Sequence, residues 1–199
     1  MGVVYSKGVF SLDKELNSLD VFTLDFCSIL EKLNINYVLV SGYVSILFGR
    51  NRASEDIDII VEKLGFDKFK SLWLALYKDF ECLNTEIVKE AYDDYLLTAH
   101  AIRFSKKGCF IPNMEMKFPK NELDSWTLKN RKRVVLNKKT LYISSLELQI
   151  SFKLFLGSEK DIEDAKYLYE LFKDKLDLKL LYDFNRKLEI GDSFKRYLE

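Results

Sequence analysis

Asp56 and Asp58 stand two positions apart in the run Asp56-Ile57-Asp58-Ile59-Ile60-Val61. The β-branched residues make this a strand, and side chains two apart on a strand project to the same side. Both carboxylates therefore share one edge of an otherwise apolar element, with Ile57 and Ile59 on the other side. Two such groups raise each other's pKa unless a cation sits between them. Magnesium, a hard ion that takes carboxylate and phosphate oxygens together, resolves that conflict. Upstream, the β-rich run Tyr37–Val40 leads into Ser41-Gly42 and then a short helix expected over Tyr43–Phe48. A strand that turns into a helix on a glycine leaves N–H groups free for phosphate oxygens, and a residue without Cβ lets them approach closely. The two features together read as a magnesium and phosphate site. Taken singly, each also fits a solvated acidic strand or an ordinary strand-to-helix turn.

The elements that must position these residues follow from periodicity. Leu19, Phe22, Phe26, Ile29, Leu30 and Leu33 recur at helical spacing and predict an amphipathic helix over Leu19–Leu33, broken by Asn34-Ile35-Asn36. A second amphipathic helix is expected over Phe66–Phe80. Tyr95–Phe104 and Cys109–Phe118 flank Ser105-Lys-Lys-Gly108 and predict an antiparallel hairpin. Short strands near Arg133–Leu136 and Thr140–Ile143 follow. From Ser144 the pattern is helical: Ser144-Ser-Leu-Glu147 reads as a capping box opening a helix through Leu156, and Ser158-Glu-Lys-Asp161 opens another to Phe172. Leu176–Leu188 and Ser193–Leu198 complete the chain. The expected organisation is α+β, a core over residues 1–143 carrying an N-terminal extension (1–18), with a helical segment over 144–199 packed on it. The extension either adds a strand or docks onto another copy.

The stretch Ser41-Gly42 … Arg52-Ala-Ser54-Glu-Asp56-Ile-Asp58 resembles the signature of the nucleotidyltransferase (DNA polymerase β-like) superfamily. It is most similar to AbiEii-type toxin nucleotidyltransferases, in which a Gly-Gly or Gly-Ser element precedes an Arg-x-Ser-x-Asp-x-Asp strand. Here the first element is Ser41-Gly42-Tyr43 instead. The resemblance implies a mixed β-sheet flanked by helices. It also implies catalysis with two magnesium ions, held by Asp56, Asp58 and a third carboxylate on a later strand. Glu115, in Pro112-Asn-Met-Glu-Met-Lys-Phe118, is the candidate, since Glu115 and Lys117 share one strand face and Met114, Met116 and Phe118 the other. A solvated Glu115–Lys117 pair is the competing reading. Ser41, Gly42, Arg52 and Ser54 fall where the family binds the NTP, ATP for instance. The implied activity is transfer of an NMP to a hydroxyl acceptor. By the toxin analogy that acceptor is an RNA such as a tRNA end, with an antitoxin as partner. The alternatives are a small antibiotic-like acceptor, or a non-catalytic nucleotide-binding subunit of the same fold.

In the helical segment, Lys153 falls among Leu146, Ile150 and Leu156, an apolar surround that demands a partner. Asp161 and Asp164 lie toward the face of the next helix that carries Ala165, Leu168 and Phe172. Lys153 and Lys160-Asp-Ile-Glu-Asp164 resemble the closing motif of the AbiEii-like proteins, which implies that Lys153 reaches the triphosphate and Asp164 shapes the site. A structural Lys153–Asp164 pair explains the same residues.

Lys+Arg and Asp+Glu balance at 31 each, so no overall field draws in nucleic acid. A local excess exists over Lys117–Lys139, eight basic residues against Glu122 and Asp124, with Trp126 inside it. An RNA acceptor would lie there, with Trp126 stacked on a base or else packed in the core. Cys27, Cys82 and Cys109 lack zinc spacing and read as buried free thiols of a cytoplasmic protein. His100, the single histidine, leaves little material for His-dependent chemistry. No apolar run of membrane-spanning length and no signal-peptide layout are present, so no membrane partner is expected.

Overall fold

In chain order the elements are β1 (Gly2–Ser6), β2 (Val9–Asp13), α1 (Ser18–Lys32), β3 (Tyr37–Val40), α2 (Gly42–Leu47), β4 (Asp56–Val61) and α3 (Phe66–Leu76). There follow β5 (Phe80–Cys82), α4 (Val88–Glu90), β6 (Ile102–Lys106), β7 (Asn113–Lys117), α5 (Glu122–Lys129), β8 (Lys132–Leu136) and β9 (Lys139–Ile143). The chain closes with α6 (Leu146–Leu156), α7 (Glu159–Phe172), α8 (Leu178–Lys187) and α9 (Gly191–Leu198). This computed structural model describes residues 2–6 and 8–198; Met1 and Lys7 of the extension, and Glu199, lie outside the described residues.

All the strands join one mixed sheet in the order β1-β2-β8-β9-β3-β4-β7-β6-β5. At its centre β4 runs antiparallel to β3 and parallel to β7. The alternation in β4 decides its two faces. Ile57, Ile59 and Val61 join Leu39, Met114, Met116 and Phe104 in the main core, where α1 and α3 contribute Phe26, Trp73 and Leu72. Asp56, Asp58 and Ile60 point the other way, onto the side where α5 packs against β3 and β4. The helices α6 and α7 pack together, and α7 also packs on α2. A cluster of Phe10, Phe48 and Phe172, with ring centroids 4.8–5.4 Å apart, ties β2, the end of α2 and the end of α7 together. The fold is thus α+β, a mixed sheet flanked by helices. No described helix is long and apolar enough to cross a membrane.

Several sequence expectations need correction. Tyr95–His100 is not strand: Ala91–Leu96 forms a π-helical turn. Tyr92 anchors it by donating its hydroxyl to the Leu64 carbonyl at 2.8 Å and packing on Phe66 and Phe69, so tertiary contacts override local strand propensity. The hairpin is therefore confined to β6 and β7, with a longer connection. The basic stretch contains a helix, α5, whose N-cap Asn121 accepts from the Asp124 N–H at 2.8 Å. The helix α6 is capped by Ser145, not by Ser144. Ser144 donates its hydroxyl to Gln149 at 2.9 Å, and Glu147 accepts from the Asp177 N–H instead of closing a box. In the extension, β1 and β2 add an antiparallel pair to the sheet edge through β8. Of the thiols only Cys27 is buried; Cys109 is exposed.

Candidate active site

The parallel pairing of β4 with β7 sets Asp56 beside Asn113 and Asp58 beside Glu115. In-register neighbours project to the same side, so Asp56, Asp58 and Glu115 share one face of the sheet. Asn113 donates its amide to Asp56 at 2.7 Å, and the Ser54 hydroxyl donates to the Asp56 carbonyl at 3.0 Å. Glu115 is turned toward β6, where Arg103 lies opposite it and donates Nε and Nη2 to the same carboxylate oxygen at 3.1 and 3.0 Å. Burial pushes Asp58 above the ordinary carboxylate range, Glu115 and Asp56 push it further, and the Ser41 hydroxyl and Lys117 pull it back.

Ser41 follows β3 directly, since Val40 pairs with Asp58. Its backbone is at φ 62°, ψ −138°, a left-handed conformation that L side chains adopt only under restraint. The restraint is Gln149 of α6. Its side-chain amide donates to the Ser41 carbonyl at 2.6 Å and accepts from the Ser41 N–H at 3.3 Å. The departure from a glycine at this position is thus absorbed by a clamp that sequence reasoning missed; its signal was a lone amide between Leu148 and Ile150 in the helix Leu146–Leu156. Asn113 and Arg103 were also missed. Asn113 was legible as the residue two before Glu115, whereas Arg103 required the hairpin register.

No side chain caps the start of α2 at Ser41. Over it lies Arg52, whose guanidinium occupies the space a Cβ on Gly42 would fill. The Arg52 side chain is 9% exposed, and its nearest carboxylate is Asp164, 3.6 Å from Nε. Its Nε and Nη1 have no hydrogen-bond partner. A buried guanidinium with unpartnered donors at an uncapped helix start is a candidate for meeting an anion.

Asp164, fully buried, is the hub of a charge network. Arg50 donates Nη1 to it and reaches Glu163 with Nη2 at 2.6 Å. Lys153 lies 2.8 Å from Asp164 and 2.5 Å from Asp161. The Lys153–Asp164 pair, the alternative reading of these residues, is present, and together with Arg50 and Arg52 it ties α6, α7 and the segment before β4 together. Lys153 also lines a cavity of about 190 Å³ beside Asp58, walled by Ser41, Lys117, Leu123, Thr127, Gln149 and Phe152 among others.

The basic stretch does not converge on this cavity. Lys117 lines it, but Arg131 turns away to Asn36 at 2.7 Å and stacks on Tyr142. The register of β9 with β3 puts the turn bearing Lys138 and Lys139 at the end of the sheet opposite Ser41. Trp126 packs edge-on against Phe184, with centroids 5.0 Å apart. His100 is exposed beside Thr98.

Among the described residues no group of three or more His, Cys, Asp or Glu is arranged to hold a metal ion, and Glu115 is paired with Arg103. The donor chemistry nevertheless fits magnesium. Asp56 and Asp58 carry hard oxygen donors on one face, and burial, Glu115 and Asp56 disfavour the charge on Asp58, a conflict that a cation would relieve.

No protein-family model and no curated protein matches this chain. Solved structures do. An antigenic nucleotidyltransferase-like protein from Paracoccidioides brasiliensis is 19% identical, with a TM-score of 0.52 over 90% of this chain and 94% of its own. The lincosamide antibiotic adenylyltransferase LnuA, lincomycin-bound, is 13% identical, with a TM-score of 0.50 over 79% of this chain and 99% of its own. ANT(2")-Ia in complex with adenylyl-2"-tobramycin is 11% identical, with a TM-score of 0.54 over 86% and 99%. The architecture of this chain is therefore that of the nucleotidyltransferase fold; likeness to the AbiEii-type proteins in particular is not among these findings.

Proposed function

We propose that the protein is a magnesium-dependent nucleotidyltransferase that moves an NMP from an NTP to an acceptor hydroxyl. The observation that carries this reading is the adjacency of two built features. Asp56, Asp58 and Glu115 share a sheet face, and the Ser41-Gly42 turn with its unpartnered Arg52 donors lies directly against that face. In the reaction an acceptor oxygen forms a bond to the α-phosphorus, the bond to the bridging oxygen breaks, and pyrophosphate leaves with the electron pair. Asp56 and Asp58 would hold magnesium, which supplies charge neutralisation at the phosphoryl oxygens. Arg52 and the N–H groups at the start of α2 bind phosphate oxygens. Glu115 orients the acceptor hydroxyl or receives its proton. Lys153 and Asp164 brace the cradle from α6 and α7, with Lys153 reaching the cavity.

The small-acceptor reading is favoured over RNA by the divergence of the basic stretch, of which Lys117 reaches the cavity while Arg131, Lys138 and Lys139 face elsewhere. LnuA with lincomycin and ANT(2")-Ia with an adenylylated tobramycin are neighbours of the same kind. A toxin role and an antitoxin partner depend on the RNA alternative. The test is calorimetric titration of each NTP with and without magnesium, on wild type and the Asp56→Ala/Asp58→Ala variant. Magnesium-dependent binding absent from the variant is expected. Binding that is indifferent to both magnesium and the two aspartates refutes the assignment and favours a non-catalytic subunit.

A further inference from the structure

If Asp56 and Asp58 are the metal ligands, as proposed above, the third carboxylate of the face is held off them by a specific residue. We infer that Arg103 is a latch on Glu115, released when a divalent cation enters the site. Arg103 sits on β6 directly opposite Glu115, and both its donors engage one oxygen, Oε2, at 3.0 and 3.1 Å. That engagement turns Glu115 toward β6, away from Asp58 on β4, its other in-register neighbour. Arg103 thus compensates Glu115 while the site lacks a cation, and a cation bound by Glu115 must compete with the guanidinium for the same oxygen. The latch is built to open. Its side chains are 52% and 28% exposed, and exposed ion pairs are worth little. The backbone beneath is fixed, with the Arg103 N–H donating to Asn84 at 2.7 Å and its carbonyl accepting from Leu83 at 2.8 Å. Release therefore needs side-chain rotation alone. Arg103 is a positioning residue acting through Glu115.

The test reads cation affinity, not turnover. Mn2+ binding is followed by loss of the free-ion electron paramagnetic resonance signal, without nucleotide, in wild type, Arg103→Ala, Glu115→Gln, the corresponding double variant and Asp58→Asn. Arg103→Ala is expected to tighten Mn2+ binding about fivefold or more, the equivalent of one exposed ion pair plus relief of repulsion between cations. In the Glu115→Gln background the same change is expected to gain less, only the relief of repulsion between cations, because the latch has nothing to hold; an equal gain in both backgrounds overturns the latch. Melting curves establish that each variant is folded. Asp58-dependent binding that is unchanged or weaker in Arg103→Ala overturns the latch alone. Absence of any Asp58-dependent Mn2+ binding in both proteins overturns the metal assignment and the latch with it.

Discussion

Gly42→Ala separates nucleotide binding from folding more cleanly than any carboxylate substitution. Gly42 is the first residue of α2 and its φ is not in the left-handed region, so alanine fits the backbone. Alanine also favours the helix by up to about 1 kcal/mol over glycine. Its Cβ, however, overlaps the Arg52 guanidinium and must push it aside. Asp164 loses only the long contact at 3.6 Å and keeps Arg50 and Lys153, so the loss of stability should stay smaller than that of removing Asp164 itself. The nucleotide loses more. A hydrogen bond to a charged group contributes about 1.5–3 kcal/mol, which corresponds to about 10- to 100-fold in affinity. Arg52→Ala should cost the same, and the double variant no more than either single one, because both remove one interaction. Calorimetry with NTP and magnesium measures the cycle, and thermal melts check the fold. Additive losses in the double variant would show that Gly42 and Arg52 act separately, and the cradle as described would be wrong.

Gln149→Leu should destabilise the protein by about 2–4 kcal/mol, since it leaves the Ser41 carbonyl and N–H unpaired and frees a strained turn. A melting temperature lowered by about 5–15 °C is the expected reading, and an unchanged one removes the clamp. Asp58→Asn should raise the melting temperature at neutral pH in the presence of a chelator. Burial and Glu115 raise the native pKa of Asp58 above the unfolded value, so the native state binds its proton more tightly. Stability is therefore lost as pH rises through that interval, and the asparagine escapes the loss. The advantage should fade as pH falls toward the ordinary carboxylate range; an advantage that grows in acid contradicts the sign. In the buried network, Asp164→Ala should cost about 3–5 kcal/mol, because it strands the buried Arg52 and leaves Arg50 only Glu163 and Lys153 only Asp161 as charged partners. Lys153→Met should cost less, because Asp164 retains two arginines; urea unfolding of both variants compares them.

What the sequence made legible was local. The pattern Asp56-Ile-Asp58 fixes its own face by alternation, and Tyr37–Val40 running into Ser41-Gly42 announces a turn, so both halves of the site could be read without a partner strand. Glu115 needed one further step, a register, and the resemblance supplied the expectation that a third carboxylate exists. What escaped was decided by contacts between distant segments. Gln149 and Ser41 are far apart in the chain and meet only because α6 packs beside the end of β3. Tyr95–His100 carries strand-like residues, yet the anchoring of Tyr92 winds the preceding segment into a helical turn. The capping signal at Ser144 was right in kind and shifted by one residue, since Ser144 was recruited by Gln149.

The same division explains why the acceptor is harder to read than the chemistry. Binding phosphate needs a few donors near one turn, and the candidates for it lie within the segment Ser41–Asp58. Choosing an acceptor depends on what walls the cavity, and here the walls come from β7, α5 and α6 together. A run of basic residues in sequence is a stripe in space only if one element carries it. Between Lys117 and Lys139 the chain instead passes through a strand, a helix and two antiparallel strands, and its charges are dealt to different faces. The charges that line the cavity are Asp58 and Asp124 against Lys117 and Lys153, two of each sign. That balance gives a polyanion no net attraction and a polycation none either. On the proposed function, acceptor selection at this site would rest on shape and on apolar contacts with Leu123, Leu148, Phe152 and Leu156, which suits a compact hydroxylated molecule with an apolar flank.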